Sequence, residues 1–298
     1  MNKRKVLINT DIGGDIDDAL ALAYLLEQSN CEILGITTVN GYPIERAQIV
    51  SAICKVARKD IPIYPGLDPK APNGWYCTPE GKRELVKWEH EKNFETDKAI
   101  DFLYETLKKY PNEVDLIDLG SFSNTAALLT KYSDSAELIK ELHVMAGVFD
   151  EKINNSDKMP FANWNVWADP ISAEIMFHSK IKSIKVYGLE ITSQLTMSKE
   201  KLETTFTTPL LKCVIDFGSF WLEDHIATFH DPLVATCVFN ENICEYKRGF
   251  VKIDLKTKNE KQYAMTTFEK TNKGNCLLAT NINKKEFFRE YIDVVKIA

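Results

Sequence analysis

The sequence predicts an α/β fold: an open, mainly parallel sheet covered by helices on both faces, running as a single domain over residues 1–298. Three observations predict it. Short β-rich runs alternate with longer helical ones from Val6 onward, and such alternation implies crossover connections between parallel strands. Apolar residues make up 44% of the 298-residue chain, enough for a large core, and α/β folds of this length often form one domain. No repeat, low-complexity tract or composition shift marks a linker.

Val6–Ile8 reads as an apolar strand and Asp17–Gln28 as a helix, joined by Asn-Thr-Asp, two glycines and Asp-Ile-Asp-Asp. CEILGITTV (31–39) is a second strand, and IERAQIVSAICKVAR (44–58) places apolar residues at helical spacing. IPIYPG (61–66) is a short strand closed by Pro65 and Gly66. Residues 68–95 hold two Trp and many charges without a period; connections this long often form lids or site walls. TDKAIDFLYETLKKY (96–110) is a helix with Thr96 as its N-cap. VDLIDLG (114–120) is a strand, SNTAALLTKY (123–132) a helix, LIKELHVMAG (138–147) a helix tail entering a strand, and IKSIKVYGLEIT (181–192) another strand. VIDFGSFWLEDHIAT (214–228) reads as helical, and the tail as a β-hairpin over 249–280 before a last helix at 284–295.

The balance of 37 basic and 43 acidic residues gives a formal charge of -6. That argues against a nucleic-acid or acidic-membrane partner, since both need a basic face. The seven cysteines are scattered, with no Cys-x-x-Cys spacing. They read as reduced core residues of a cytoplasmic protein. The apolar run after the basic start is too short for a signal peptide, and no run is long enough to span a membrane.

The chemistry gathers in NTDIGGDIDD, where Asp11, Asp15, Asp17 and Asp18 fall at a strand's carboxyl end. Ligands of parallel α/β sheets bind there. The glycine spacing of a dinucleotide or phosphate loop is absent, and four carboxylates would repel a phosphate. Their mutual repulsion calls for a cation, and an oxygen-only set favours calcium or magnesium. A second segment, FHDPLVA (229–235), sets His230 beside Asp231 with Pro232 opening a helix. His143 and His178 sit on helical or strand patterns and read as structural. SFSN (121–124) lacks the Gly-x-Ser-x-Gly context of a serine nucleophile.

Together, TDIGGDIDDALAL and HDPLVA resemble the nucleoside hydrolases, the calcium-dependent inosine–uridine-preferring N-ribohydrolases. GITTVNGY, DLGSFSNTAALL and FANWNVWADPISA resemble further motifs of that family in the same order. The resemblance implies a nucleoside hydrolase-like fold and Ca2+ held by Asp11, Asp18, the backbone carbonyl of Ser123 and Asp231. Asp11 would also be the general base toward water. Asp17 and Asn165 would bind sugar hydroxyls, and His230 would stand near the leaving base. A nucleoside-like small molecule as substrate and a homodimer or homotetramer are further implications.

The chain departs from the family at Asn9 and Tyr42, which stand for Asp and Asn. Asp157 and Asn163 stand for the Asn and Glu that grip the sugar's 5′ side. Two residues are inserted before the Asp pair, so an ungapped reading would put Asp15 in a ligand place. Asp17 and Asp18 are preferred because Ala-Leu-Ala-Leu follows them directly. Trp164 and Trp167 flank Asn165, and Trp221 and His225 lie four apart; Trp164, Trp221 and His225 are candidates for contact with the base. The leading expectation is hydrolysis of an N-glycosidic bond. The alternative is a calcium-dependent binder of a sugar-bearing ligand without turnover. A magnesium phosphohydrolase is disfavoured because Asn9 replaces the needed nucleophile.

Overall fold

Nine strands form one sheet in the order β10-β9-β11-β6-β5-β4-β1-β2-β3. The computed structural model describes residues 3–71, 77–149, 162–257 and 263–296. Its first half runs β1 (Arg4–Thr10), α1 (Asp17–Glu27), β2 (Cys31–Thr38), α2 (Pro43–Val56), β3 (Ile63–Pro65), a 3₁₀ segment (Glu80–Lys87), α3 (Ala99–Lys109), β4 (Val114–Asp118), α4 (Ser123–Lys131), α5 (Ser135–Leu138) and β5 (Ile139–Met145). Next come α6 (Trp164–Ala168), α7 (Pro170–Phe177), β6 (Ile184–Tyr187), α8 (Leu189–Thr192), β7 (Thr196–Met197), α9 (Lys199–Thr205), α10 (Pro209–Phe217), α11 (Trp221–Asp224) and β8 (Ala227–Thr228). The chain ends with α12 (His230–Phe239), β9 (Cys244–Ile253), β10 (Thr266–Lys270), β11 (Cys276–Ile282) and α13 (Lys284–Val295).

Strands β1 to β6 and the β6–β11 pair run parallel, whereas β9 is antiparallel to both β10 and β11. β7 and β8 form a separate antiparallel pair. Alternation along β1 serves two cores. Val6 and Ile8 face a cluster with α1, α2, α10, α12 and α13, while Leu7 faces one with α3, α4 and α7. Every residue of α1 except Glu27 is buried, as expected of a helix apolar all round. It packs against α12, α10 and α13.

The chain moves outward from β1 to β2 and β3, then returns to add β4 on the other side. That reversal opens a crevice beyond the carboxyl ends of β1 and β4, where α/β sheets bind ligands.

Several elements differ from the sequence reading. Helix α3 starts at Ala99, not at a Thr96 cap, because Asp97 takes a left-handed conformation with φ of 60° and breaks the approach. The run 214–228 divides at Gly218 into the end of α10 and the short α11. The run 181–192 is a strand only to Tyr187; Gly188 then turns it into α8. The tail holds three strands, since β10 adds to the expected β9–β11 hairpin. No helix among the described residues is long and apolar enough to cross a membrane.

Gly35 sits where the β1–β2 register shifts between Val6 and Leu7. A Cβ there would stand 2.2 Å from Cζ of Phe102, whose ring packs on Tyr64 at 4.5 Å. Gly35→Ala is therefore expected to cost about 1–3 kcal/mol through overpacking, read as a lower midpoint in urea unfolding. An unchanged midpoint would mean that the ring moves aside freely.

Candidate active site

Two helix N-termini bring the distant acidic segments together. Asp17 and Asp18 occupy the first turn of α1, and Asp231 the first turn of α12. Each offers a carboxylate oxygen, all three within 4.8 Å of one another, and all three residues are buried. The positive helix ends offset part of the repulsion among them. Asp11, just past β1, borders this trio. Its Oδ2 accepts a hydrogen bond from Nδ2 of Asn40 at 3.3 Å.

The cluster floors a cavity of about 430 Å³, lined also by Gly14, Asp15, Cys77, Leu119, Met145, Asn163, Trp164, Asn165, Leu189, Trp221 and His230. Burial raises Asp17, Asp18 and Asp231 well above the ordinary carboxylate range, and the neighbouring carboxylates add to the rise. Asp11 is raised too, by burial, with Arg46 acting in the opposite direction. Burial also pushes Asp15 up to about 7. Such a set is strained until positive charge enters it. It has only hard oxygen donors, which fits calcium or magnesium rather than a thiophilic metal.

The remaining predicted residues are distributed as follows. Asn165 donates from Nδ2 to the carbonyls of Leu119 at 2.6 Å and Met145 at 3.1 Å. Asn163 caps α6, its Oδ1 accepting from Val166 N at 3.3 Å while Nδ2 points to Sδ of Met145. Trp164 lines the cavity, and its ring packs on Trp167 at 5.4 Å. Trp221 also lines it and stacks on the exposed His225 at 4.0 Å; His225 itself is not among the lining residues. His230 lines the cavity, its Nδ1 2.7 Å from Oγ1 of Thr192. Burial pushes His230 down to about 4, so it is neutral at pH 7.

Three predicted residues are not among the described ones lining the cavity. Tyr42 is 42% exposed, with Lys82 above its ring, and is not among the lining residues. It opens α2 in a left-handed conformation that turns its ring outward. The Ser123 hydroxyl donates to Asp169 Oδ2 at 2.6 Å, which leaves its backbone carbonyl, the group expected to serve as ligand, unaffected. Asp157 lies outside the described residues.

Beneath the cluster lies a second polar layer. Asn9 donates to Asp118 at 2.6 Å and accepts from Asn124 at 2.7 Å. Asp118, pushed up to about 7 by burial, also accepts from Thr125 at 2.5 Å. Asp118, Asn40, Arg46, Cys77 and Thr192 were not singled out by sequence reasoning. A polar residue inside an apolar run was the available signal for Asp118 and Arg46. A separate buried group, Asp115, Glu141 and His143, is paired with Arg4 and Lys185.

The geometry defines the class: an α/β protein whose mainly parallel sheet carries an acidic cavity at its carboxyl edge. A sequence profile described as inosine-uridine preferring nucleoside hydrolase matches residues 6–289. Uridine nucleosidase 1 of Arabidopsis thaliana is 28% identical over 268 residues, covering 84% of this chain and 78% of the relative. The purine-preferring ribonucleoside hydrolase of Gardnerella vaginalis superposes with a TM-score of 0.82 at 19% identity, over 99% of this chain and 100% of that one. The inosine-uridine preferring nucleoside hydrolase of Bacillus anthracis gives 0.80 at 18% identity over 100% of each chain. These structural likenesses show the fold, and the profile match shows the family. The chain belongs to the inosine-uridine preferring nucleoside hydrolase family. It is an N-glycosyl hydrolase.

The raised carboxyls fix the sign of a pH effect. A carboxyl whose pKa is higher folded than unfolded binds more protons when folded, so stability falls as pH rises from about 4 to the folded value. For Asp15 and Asp118 that window ends at about 7. His230, lowered to about 4, opposes it as one group against six raised carboxyls. The metal-free protein is therefore expected to melt at a higher temperature at about pH 5.5 than at about pH 7.5, and calcium to narrow the gap. Calorimetric scans with and without calcium check this; a reversed order would contradict it.

Proposed function

We propose that this protein cleaves the N-glycosidic bond of a ribonucleoside by calcium-dependent attack of water. The observation that carries the reading is the convergence of Asp17, Asp18 and Asp231 oxygens within 4.8 Å, at the floor of a cavity that Asp11 and Asn165 also line. The trio, bordered by Asp11, would hold the ion. Bound there, calcium would supply the positive charge that acidifies a water and attracts sugar hydroxyls.

The chain's own groups do the rest. Asp11 accepts the proton of the attacking water, a role calcium leaves to it because calcium acidifies water less than zinc does. Asn165 has its amide nitrogen engaged by Leu119 and Met145, so Oδ1 is the atom left to accept a sugar hydroxyl. Asp17 holds a neighbouring hydroxyl. The carboxylates favour the positive charge that grows on the sugar as the bond to the base lengthens. Trp164 and Trp221 give a planar base two apolar walls. His230, neutral and held by Thr192, offers the departing base a hydrogen bond rather than a full proton.

A second reading, a calcium-dependent binder without turnover, draws on Asn163. Its amide is engaged by Val166 and Met145, and it stands where the family has a Glu that grips the sugar. Base release decides between the two. Uridine and inosine should yield free base in calcium, lose it in chelator and regain it on add-back. Asp11→Ala should lower kcat by roughly a hundred- to ten-thousand-fold, as removal of a general base does. A 2′-deoxyribonucleoside should react more slowly, since one of the two vicinal hydroxyls is missing. Full activity in chelator, or wild-type turnover by Asp11→Ala, would sink the mechanism.

A further inference from the structure

Arg46 lies on α2, fully buried at 0% exposure. Among the described residues, its donors go to main-chain carbonyls rather than to a carboxylate. Nε donates to the oxygens of Asn40 at 2.5 Å and Gly41 at 2.8 Å. Nη1 donates to those of Asp11 and Ile12, the latter at 2.8 Å. Nη2 donates to that of Cys77 at 2.6 Å. A buried cation without such partners would be costly, and the planar fork of a guanidinium is the side chain able to reach so many acceptors at once.

These carbonyls belong to three separate pieces of chain. Asp11 and Ile12 form the elbow after β1. Asn40 and Gly41 form the turn after β2, where Asn40, Gly41 and Tyr42 are all left-handed, with φ of 63°, 57° and 65°. Asn and Gly tolerate that conformation, but it is unfavourable for Tyr and persists there only where the surroundings hold it. Cys77 belongs to the arm that closes the cavity wall. The arm lies hard on the other two pieces: a Cβ on Gly41 would stand 2.4 Å from the Cys77 carbonyl, and Gly81 N donates to Gly13 O at 2.9 Å.

We propose that Arg46 is the positioning residue of the cavity, its guanidinium setting the Asp11 carboxylate, the Asn40 amide that grips it and the Cys77 wall in one arrangement. The calcium part of this proposal rests on the reading above; the part concerning the wall does not. Cys77 provides a native reporter, because it is the one half-buried cysteine and the other six are buried.

Arg46→Met and Arg46→Lys test the proposal, Lys keeping the charge without the fork. Arg46→Ala with added ethylguanidinium replaces the tie without the covalent link. Calcium affinity by titration calorimetry should weaken by roughly ten- to a hundredfold in Arg46→Met, as for other residues that orient metal ligands. In metal-free protein, iodoacetamide should alkylate Cys77 several-fold faster in Arg46→Met and Arg46→Lys than in wild type, followed by peptide mass spectrometry. Ethylguanidinium should reverse both effects in Arg46→Ala, which a general loss of stability would not allow. Wild-type labelling of Cys77 in Arg46→Met or Arg46→Lys overturns the proposal. Faster labelling in protein whose wild type binds no calcium upholds the positioning role and defeats the calcium reading instead.

Discussion

Repulsion between buried carboxylates is the constraint around which this molecule is arranged. Asp11, Asp17, Asp18 and Asp231 are buried and line one cavity, and like charges at such distances cost several kcal/mol when shielded only by protein. Burial and mutual field raise each of them. A fold selected for stability alone would have replaced these aspartates with apolar residues. Their presence makes sense if the unliganded cavity stores electrostatic strain that a cation and a sugar relieve together.

The sheet makes this concentration of charge possible. Parallel strands end at one edge, and the reversal of strand order at β1 leaves room there for two helix N-termini. Each terminus contributes partial positive charge and N–H groups that reach the aspartates, as Asp18 N reaches Oδ1 of Asp17 at 3.1 Å. Because α1 is apolar on every face, its first turn is drawn deep into the protein with its two aspartates. The same packing against α12 places Asp231 opposite them.

The parts legible in the sequence were those with a local signature. Alternating strands and helices, the acidic elbow and His-Asp-Pro are patterns of neighbouring residues, and the fold and family followed from them. The preference for Asp17 and Asp18 over Asp15 rested on the apolar helix behind them, and the trio contains both. What stayed hidden depends on contacts across the chain. Arg46 falls at the start of a row with Ile49, Val50 and Ile53, a helical spacing that marks the inward face; a charged residue there signals a buried tie, but not to which carbonyls. Asp118 and Asn9 each sit in an apolar strand, and only strand register shows that they meet. Tyr42 was read by its alignment with a pocket position, whereas its left-handed backbone points the ring outward.

The neutral His230 bears on how the bond breaks. Burial lowers the His230 imidazole to about 4 and so leaves it mostly uncharged at neutral pH, a poor carrier of a full proton to the leaving base. In the proposed mechanism, departure of the base would then be driven largely from the sugar side, by stabilising the growing positive charge and delivering water as it forms. The placement of the carboxylates would matter most, since electrostatic stabilisation works only where charge and field coincide. It also explains why a fully buried arginine would be tolerated so close to a cation site. Its charge is taken up by five carbonyl oxygens, and what it leaves to the cavity is geometry.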